Sequence, residues 1–189
     1  MIINHRDFII ELIDDKFHTL NSVDNINTYR AAYCQNMAAQ INSKYGVRVI
    51  KNDTETSSAL VCSDGLSTTV HPTSYVIKND IIFLCCGRHV YALDIPVLQL
   101  KWFKELDPAT CIEIYSFEDG FIIHGEISIS RVTLAGEIKW EFSARDIFVN
   151  LNGHKEFEIT GGQIKLVDFE NYEYILDANG KVITDRLLK

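Results

Sequence analysis

The sequence predicts an α+β chain, mostly β, in which two N-terminal helices precede an antiparallel β region. Three observations carry this. Apolar residues recur at helical spacing over the first forty or so positions. The period changes to short β-type runs from Val47 onward. In the C-terminal half, Gly87 and Gly125 are 38 residues apart, as are Trp102 and Trp140, and Gly162 follows Gly125 by 37. A fixed spacing of that size marks a structural unit used more than once.

In the first segment, Phe8, Ile9, Leu12, Ile13, Phe17 and Leu20 fall on one helical face, with Asp7, Glu11, Asp14 and Asp15 mostly on the other. Asn4 is the expected N-cap. A second helix is expected to start at Ser22 or Asp24 and to carry Ile26, Tyr29, Tyr33, Met37 and Ile41. Ala31, Ala32, Ala38 and Ala39 add helix propensity. Gly46 is the expected C-cap, because glycine tolerates the left-handed backbone that ends a helix. Residues 1–46 therefore read as a helical segment packing on a sheet, and 47–189 as a β-rich region, within one expected domain.

Candidate strands follow at Val47–Lys51, Ala59–Cys62, Leu66–Val70 and Tyr75–Ile77, with a hairpin signal at Asp64-Gly65. The repeated region starts near Asp80. Its first unit is Asp80–Cys85, His89–Leu93 and Val97–Phe103. Its second is Gly120–His124, Glu126–Leu134 and Glu137–Phe142. A looser third runs from Glu156 to Thr184, turns at Asn179-Gly180 and lacks a tryptophan.

The phrases Val132-Thr133-Leu134-Ala135-Gly136-Glu137-Ile138-Lys139-Trp140, Ile175-Leu176-Asp177-Ala178-Asn179-Gly180-Lys181-Val182 and Tyr91-Ala92-Leu93-Asp94 resemble blade motifs of quinoprotein-like and WD-type β-propellers. The resemblance covers about residues 80–184. It implies a recognition scaffold; no cofactor-binding residue of those families carries over. The β region is thus either an antiparallel meander or a partial propeller-like arc of two to three repeats. An open arc leaves sheet edges exposed, so the helices would cap an edge or one face, or two chains would complete each other.

Composition bounds the function. The net charge is −8 over 189 residues, and it is uneven. Residues 105–173 hold 14 Asp or Glu against 5 Lys or Arg, whereas the rest of the chain is close to neutral. That field repels nucleic acid and anionic membranes and speeds encounter with a basic partner. No run approaches the roughly 18 apolar residues of a membrane span. Five cysteines without framework spacing, and no signal-peptide pattern, read as a cytoplasmic protein with reduced thiols.

Catalytic signatures are missing. Ser63-Asp64-Gly65 is a turn and no nucleophile elbow. Gly161-Gly162 lacks the Lys-Ser/Thr that completes a phosphate loop. Cys85 and Cys86 are neighbours in a strand and point to opposite faces, which disfavours a shared metal. Whether His71, His89 and His124 converge is left open by their spacing. No cofactor and no metal site is expected.

This profile is similar to that of bacterial toxin-immunity proteins. The similarity implies a small acidic binding protein that neutralises a basic partner such as a nuclease toxin. Candidate contact residues are the acidic Glu113, Glu118, Asp119, Glu126, Glu137, Glu141, Glu156 and Glu158, with the aromatic anchors Tyr115, Phe117, Tyr172 and Tyr174. Alternatives are a self-associating scaffold or complex subunit, and a metal-assisted hydrolase.

Overall fold

A computed structural model describes residues 1–34 and 40–188. All seventeen of its regular elements are β-strands, arranged in four sheets. The first sheet contains β1 (Ile2–His5), β2 (Phe8–Asp14), β3 (Ala31–Cys34), β4 (Ser43–Lys51) and β5 (Thr54–Ser63), in the order β1-β2-β4-β5-β3. Three four-stranded meanders follow. The second sheet is β6 (Tyr75–Lys78), β7 (Ile81–Cys86), β8 (His89–Asp94) and β9 (Leu100–Glu105). The third is β10 (Cys111–Phe117), β11 (Gly120–Gly125), β12 (Ile129–Thr133) and β13 (Ile138–Phe142). The fourth is β14 (Phe157–Thr160), β15 (Gln163–Val167), β16 (Tyr172–Leu176) and β17 (Val182–Leu187).

The α+β class and both expected helices are overturned. Residues 8–14 alternate as well as they repeat every three or four: Ile10 and Leu12 enter the core from one face of β2 while Glu11 points away. A run this short fits both periods, and its β-branched residues pair with β4. Asn4, the expected N-cap, lies in β1. In the second expected helix, Ala31–Cys34 is a strand parallel to β5. Met37, Ala38 and Ala39 lie outside the described residues. Gly46 is inside β4, so the boundary expected at 46 falls within a strand. There its missing side chain makes room for the Tyr29 ring, which a Cβ would overlap. Leu66–Val70 is no strand, and Asp64-Gly65 is no hairpin; both belong to the connection between the first and second sheets.

The sheets stack in chain order, and each meets the next through a separate hydrophobic layer. Ile82, Leu84, Tyr91 and Leu93 of the second sheet face the first. Phe83, Cys85, Val90 and Ala92 face the third, against Ile114, Phe121, Ile123 and Val132. The third sheet turns Phe117, Ile122 and Ile129 to the fourth, against Phe157, Ile164, Leu166, Tyr174 and Leu176. The two middle sheets are therefore apolar on both faces, which is why β7 reads as an unbroken hydrophobic run and β11 carries the consecutive apolar residues Phe121, Ile122 and Ile123.

The tryptophans set the spacing of this stack. Trp102 on β9 donates its indole N–H to Leu134 O in the β12–β13 turn of the next sheet, at 2.9 Å. Trp140 on β13 does the same to Ala178 O in the β16–β17 turn, at 3.0 Å. Each ring lies on the glycine of the turn it reaches. A Cβ at Gly136 would come within 2.9 Å of the Trp102 ring, and one at Gly180 within 2.5 Å of Trp140. Both glycines also hold positive φ, +83° and +77°, so their identity is fixed twice over. The Trp-to-Gly phrase of the sequence is thus a contact between successive units.

The register explains the irregular third repeat. Gly87 follows the second strand of its sheet and Gly125 ends the second strand of its own, whereas Gly162 sits between the first and second strands of the fourth. Its 37-residue spacing is not a repeat. Trp102 pairs with Ala92, Trp140 with Arg131, and the corresponding position in the fourth sheet is Thr184, paired with Ile175. No sheet of the described structure lies beyond the fourth, so Thr184 has no turn to reach.

The two ends of the stack differ in covering. Residues 15–30 fold over the outer face of the first sheet: Tyr29 lies on Gly46 and donates to Asp15 at 2.7 Å, and Arg48 donates to Asn27 at 2.9 Å. On the fourth sheet, Glu173 is buried between Lys165 at 2.7 Å and Arg186 at 2.6 Å.

Removing the indole by Trp140→Ala is expected to cost about 3–5 kcal/mol. Gly180→Ala is expected to cost about 1–3 kcal/mol from the strained backbone and the ring overlap. Thr184→Ala, at the matching site with no neighbour, should stay within about 0.5 kcal/mol. Urea denaturation of the three variants checks this ordering.

Candidate functional site

The connection between the third and fourth sheets, residues 143–156, is much longer than the five-residue link 106–110 between the second and third. Three side chains fasten it. Arg145 grips Asp185 with two bonds of 2.7 and 2.8 Å, donates to Tyr174 Oη at 2.9 Å, and lies 4.2 Å from the Tyr172 ring centroid. Phe148 is buried, and its N–H donates to Glu126 O at 2.7 Å. Asn150 donates to Asp168 O and to Asn171 Oδ1, and its own oxygen caps the N–H of Asn152. Beyond Asn150, residues 151–155 project into solvent.

Two turns border this connection: β11–β12, with Glu126 and Ile127, and β15–β16, with Phe169 and Glu170. Phe169 N–H donates to Ile147 O at 2.9 Å, tying the second turn to the connection. The rim so formed exposes Ile127, Leu151 and Phe169, with Leu151 at 77%. The same three segments carry Glu126, Asp146, Glu156 and Glu170. Among the described residues none of these four carboxylates has an ion-pair partner. Burial, then the nearby Asp107 carboxylate, raises the Glu126 pKa. A cation brought against Glu126 would relieve that crowding. Lys155, on the same projecting segment, is paired with Glu158, so the charge left unpaired beside these apolar side chains is negative.

The residues expected to contact a partner do not form one face. Glu126 and Glu156 belong to this rim, and Glu156 accepts the Asn150 N–H at 3.2 Å. Glu137 and Glu141 are exposed on the β12–β13 hairpin and unpaired among the described residues. Glu118 and Asp119 hold Arg131, which is only 1% exposed and stacks on Phe117 at 5.2 Å. Phe117 is buried beneath that cation. Tyr174 is buried too, donating to Asp168 at 2.8 Å. Tyr172 forms the bed of Arg145. Glu158 pairs with Lys155.

Glu113 and Tyr115 lie at the inner edge of the third sheet. Glu113 accepts Thr73 Oγ1 and His124 Nδ1, each at 2.8 Å, and His71 reaches Thr73 at 3.1 Å. His124 stacks on Phe157 at 4.8 Å, beside Tyr115. His71 and His124 therefore meet through Thr73 and Glu113, while His89 is elsewhere. There His89 Nδ1 contacts Ser63 Oγ at 2.7 Å, and Asp64 lies 3.9 Å from the same nitrogen. A serine hydrolase needs its nucleophile and orienting acid on opposite ring nitrogens. Ser63 and His89 are also both buried. Among the described residues no three His, Cys, Asp or Glu side chains are grouped to hold a metal ion.

Burial raises the thiols of Cys85, Cys86 and Cys111 far above their ordinary range. Cys34 and Cys62, paired across β3 and β5 with Cα atoms 4.6 Å apart, form a disulfide, which corrects the expectation that all five thiols are reduced.

Sequence reasoning missed Ile127, Asp146, Leu151, Phe169 and Glu170. The available signal was the stretched third repeat, because an insertion in a repeat maps to a loop on one rim. Asp107 was also missed. It is buried, and its two oxygens accept the N–H groups of Ala109, Thr110, Ile127 and Ser128 at 2.7–2.9 Å and the Ser128 hydroxyl at 3.1 Å.

Burial pushes the Glu113 pKa up, but hydrogen bonds from His124, Thr73 and Tyr115 outweigh it and hold the carboxyl at about 2. The folded value lies below the ordinary 4.5, so this stability is present above pH 4.5 and is lost as pH falls toward 2. Glu113→Gln is expected to remove that part of the acid transition, which denaturation measured against pH checks.

No protein-family model matches this sequence, and a search of curated proteins finds no match. Solved structures do resemble the fold. BamB from Moraxella catarrhalis superposes with a TM-score of 0.53 at 12% identity, over 79% of this chain and 48% of that one. The computationally designed Ika8 protein gives 0.49 at 10% identity, over 98% of this chain and 60% of its own. The chain thus spans about half the length of BamB, and the likeness concerns the fold alone: a propeller-type succession of antiparallel sheets.

Proposed function

We propose that this protein is a binding module for a basic protein partner, which it inhibits or neutralises in the manner of an immunity protein facing a nuclease toxin. One observation carries the reading. Across residues 105–173, all five basic side chains, Arg131, Lys139, Arg145, Lys155 and Lys165, are already in ion pairs. Six carboxylates that reach solvent, Glu126, Glu137, Glu141, Asp146, Glu156 and Glu170, have none among the described residues. The negative field over the third and fourth sheets is therefore left for another molecule to neutralise. Four of the six lie on the same three segments as the exposed Ile127, Leu151 and Phe169, which supply the apolar contacts that charge alone lacks.

The charges set how fast the partner arrives, and the apolar contacts set how long it stays. Capture from the native cell identifies the partner. Association with it is then expected to slow by about tenfold or more between low and high salt. Glu126→Lys combined with Glu170→Lys should slow association, while Leu151→Asp should mainly speed dissociation. An association rate indifferent to salt, or full binding by all these variants, would sink the proposal.

A further inference from the structure

A second exposed apolar surface lies at the opposite end of the stack, on the segment that covers the first sheet. Phe17, Val23 and Ile26 are 86%, 97% and 99% exposed. Phe17 and Ile26 border one depression of about 210 Å³, and Ser22 and Asp24, on either side of Val23, line it as well. The segment is held in shape. Asn25 accepts the Thr19 N–H at 2.8 Å and donates to Thr19 O at 2.8 Å and Ser22 O at 3.0 Å. Lys44 donates to His18 O at 2.7 Å and Tyr29 to Asp15 at 2.7 Å, fastening it to the sheet. A flexible loop could fold such side chains inward, but this one is fixed with them outward, so their exposure costs hydration free energy that a partner would recover.

From this geometry we infer that the surface joins two copies of the chain in a two-fold dimer. A two-fold contact requires each half of every interaction to be present in the same patch. This patch meets that condition. It has an apolar projection, Val23, beside a depression that Phe17 and Ile26 border and whose remaining lining is polar. It also carries one exposed cation, Lys16, and one exposed anion, Asp24, neither ion-paired among the described residues. Antiparallel apposition sets Lys16 of one copy against Asp24 of the other. Three side chains this exposed amount to roughly 400–500 Å² of apolar surface. Two such patches together bury at most about 800–1,000 Å² of apolar surface, the size of a weak, reversible interface. An anionic lipid surface fits less well, because the chain carries a net −8. The acidic rim lies on the third and fourth sheets, so dimerisation through the first leaves it open and makes the protein bivalent toward its partner.

Sedimentation of the purified chain across the micromolar range tests this. The expected result is a monomer–dimer equilibrium. Phe17→Ser with Ile26→Ser should weaken it at least about tenfold, without lowering the thermal midpoint measured at a concentration where both chains are monomeric. Lys16→Asp and Asp24→Lys should each weaken the dimer, and the double reversal should restore it, which separates contact loss from misfolding. A chain that stays monomeric throughout, whether or not it binds lipid vesicles, overturns the inference. So does a dimer that survives the apolar substitutions or ignores the charge reversals. Binding of the basic partner is read separately and is expected to persist in the dimer-deficient variants.

Discussion

Everything in this molecule depends on one sheet finding the next. Two indoles, Trp102 and Trp140, each reach across a sheet interface to a turn carbonyl and lie on a glycine that has no side chain to obstruct them. The hydrophobic layers between sheets supply most of the burial, but they are nearly non-directional. The indole bond has a direction and a reach, so it fixes how far each sheet is offset from its neighbour. At the first interface Tyr33 of β3 takes a similar part, donating to Leu98 O at 3.0 Å in the β8–β9 turn. The fourth sheet has Thr184 at the equivalent place and ion pairs on its outer face, in keeping with a face that sends no indole onward.

A stack of this kind has two ends, and the chain treats them differently. Its own residues 15–30 cover the first sheet with a polar underside, in which Asp15, Asn25, Asn27 and Tyr29 are all engaged. That leaves Phe17, Val23 and Ile26 no place inside. At the fourth sheet, Lys165, Glu173 and Arg186 satisfy one another. A sheet face may be closed by covering it or by making it polar, and each choice leaves a different surface outside.

The acidic excess divides in the same way. Asp107 and Asp168 are spent inside the fold on N–H and hydroxyl donors, Glu173 on two cations, and Glu113 on a histidine and a threonine. Glu118 and Asp119 neutralise the buried Arg131, without which that cation would carry an unpaid desolvation penalty. Only the remainder is free to act at a distance. Counting charge along the sequence finds the right region and overstates how much of it is available.

The sequence by itself determined the β-rich repeated half, the propeller-type resemblance of its turns, and the uneven charge. These rest on local features: alternation within strands, Gly at positive-φ turns, and composition. It also marked Trp102 and Trp140 as equivalent, though not what they touch. Only the tertiary structure decided that residues 8–14 and 31–34 are strands, because short apolar runs fit either period until a neighbouring strand pairs with them. It alone decided which of Glu113, Tyr115, Phe117 and Tyr174 are interior and which carboxylates remain free. Those outcomes depend on ion pairs and packing between residues far apart in the chain, such as Arg145 with Asp185 and Thr73 with Glu113, and no local pattern records a contact of that range.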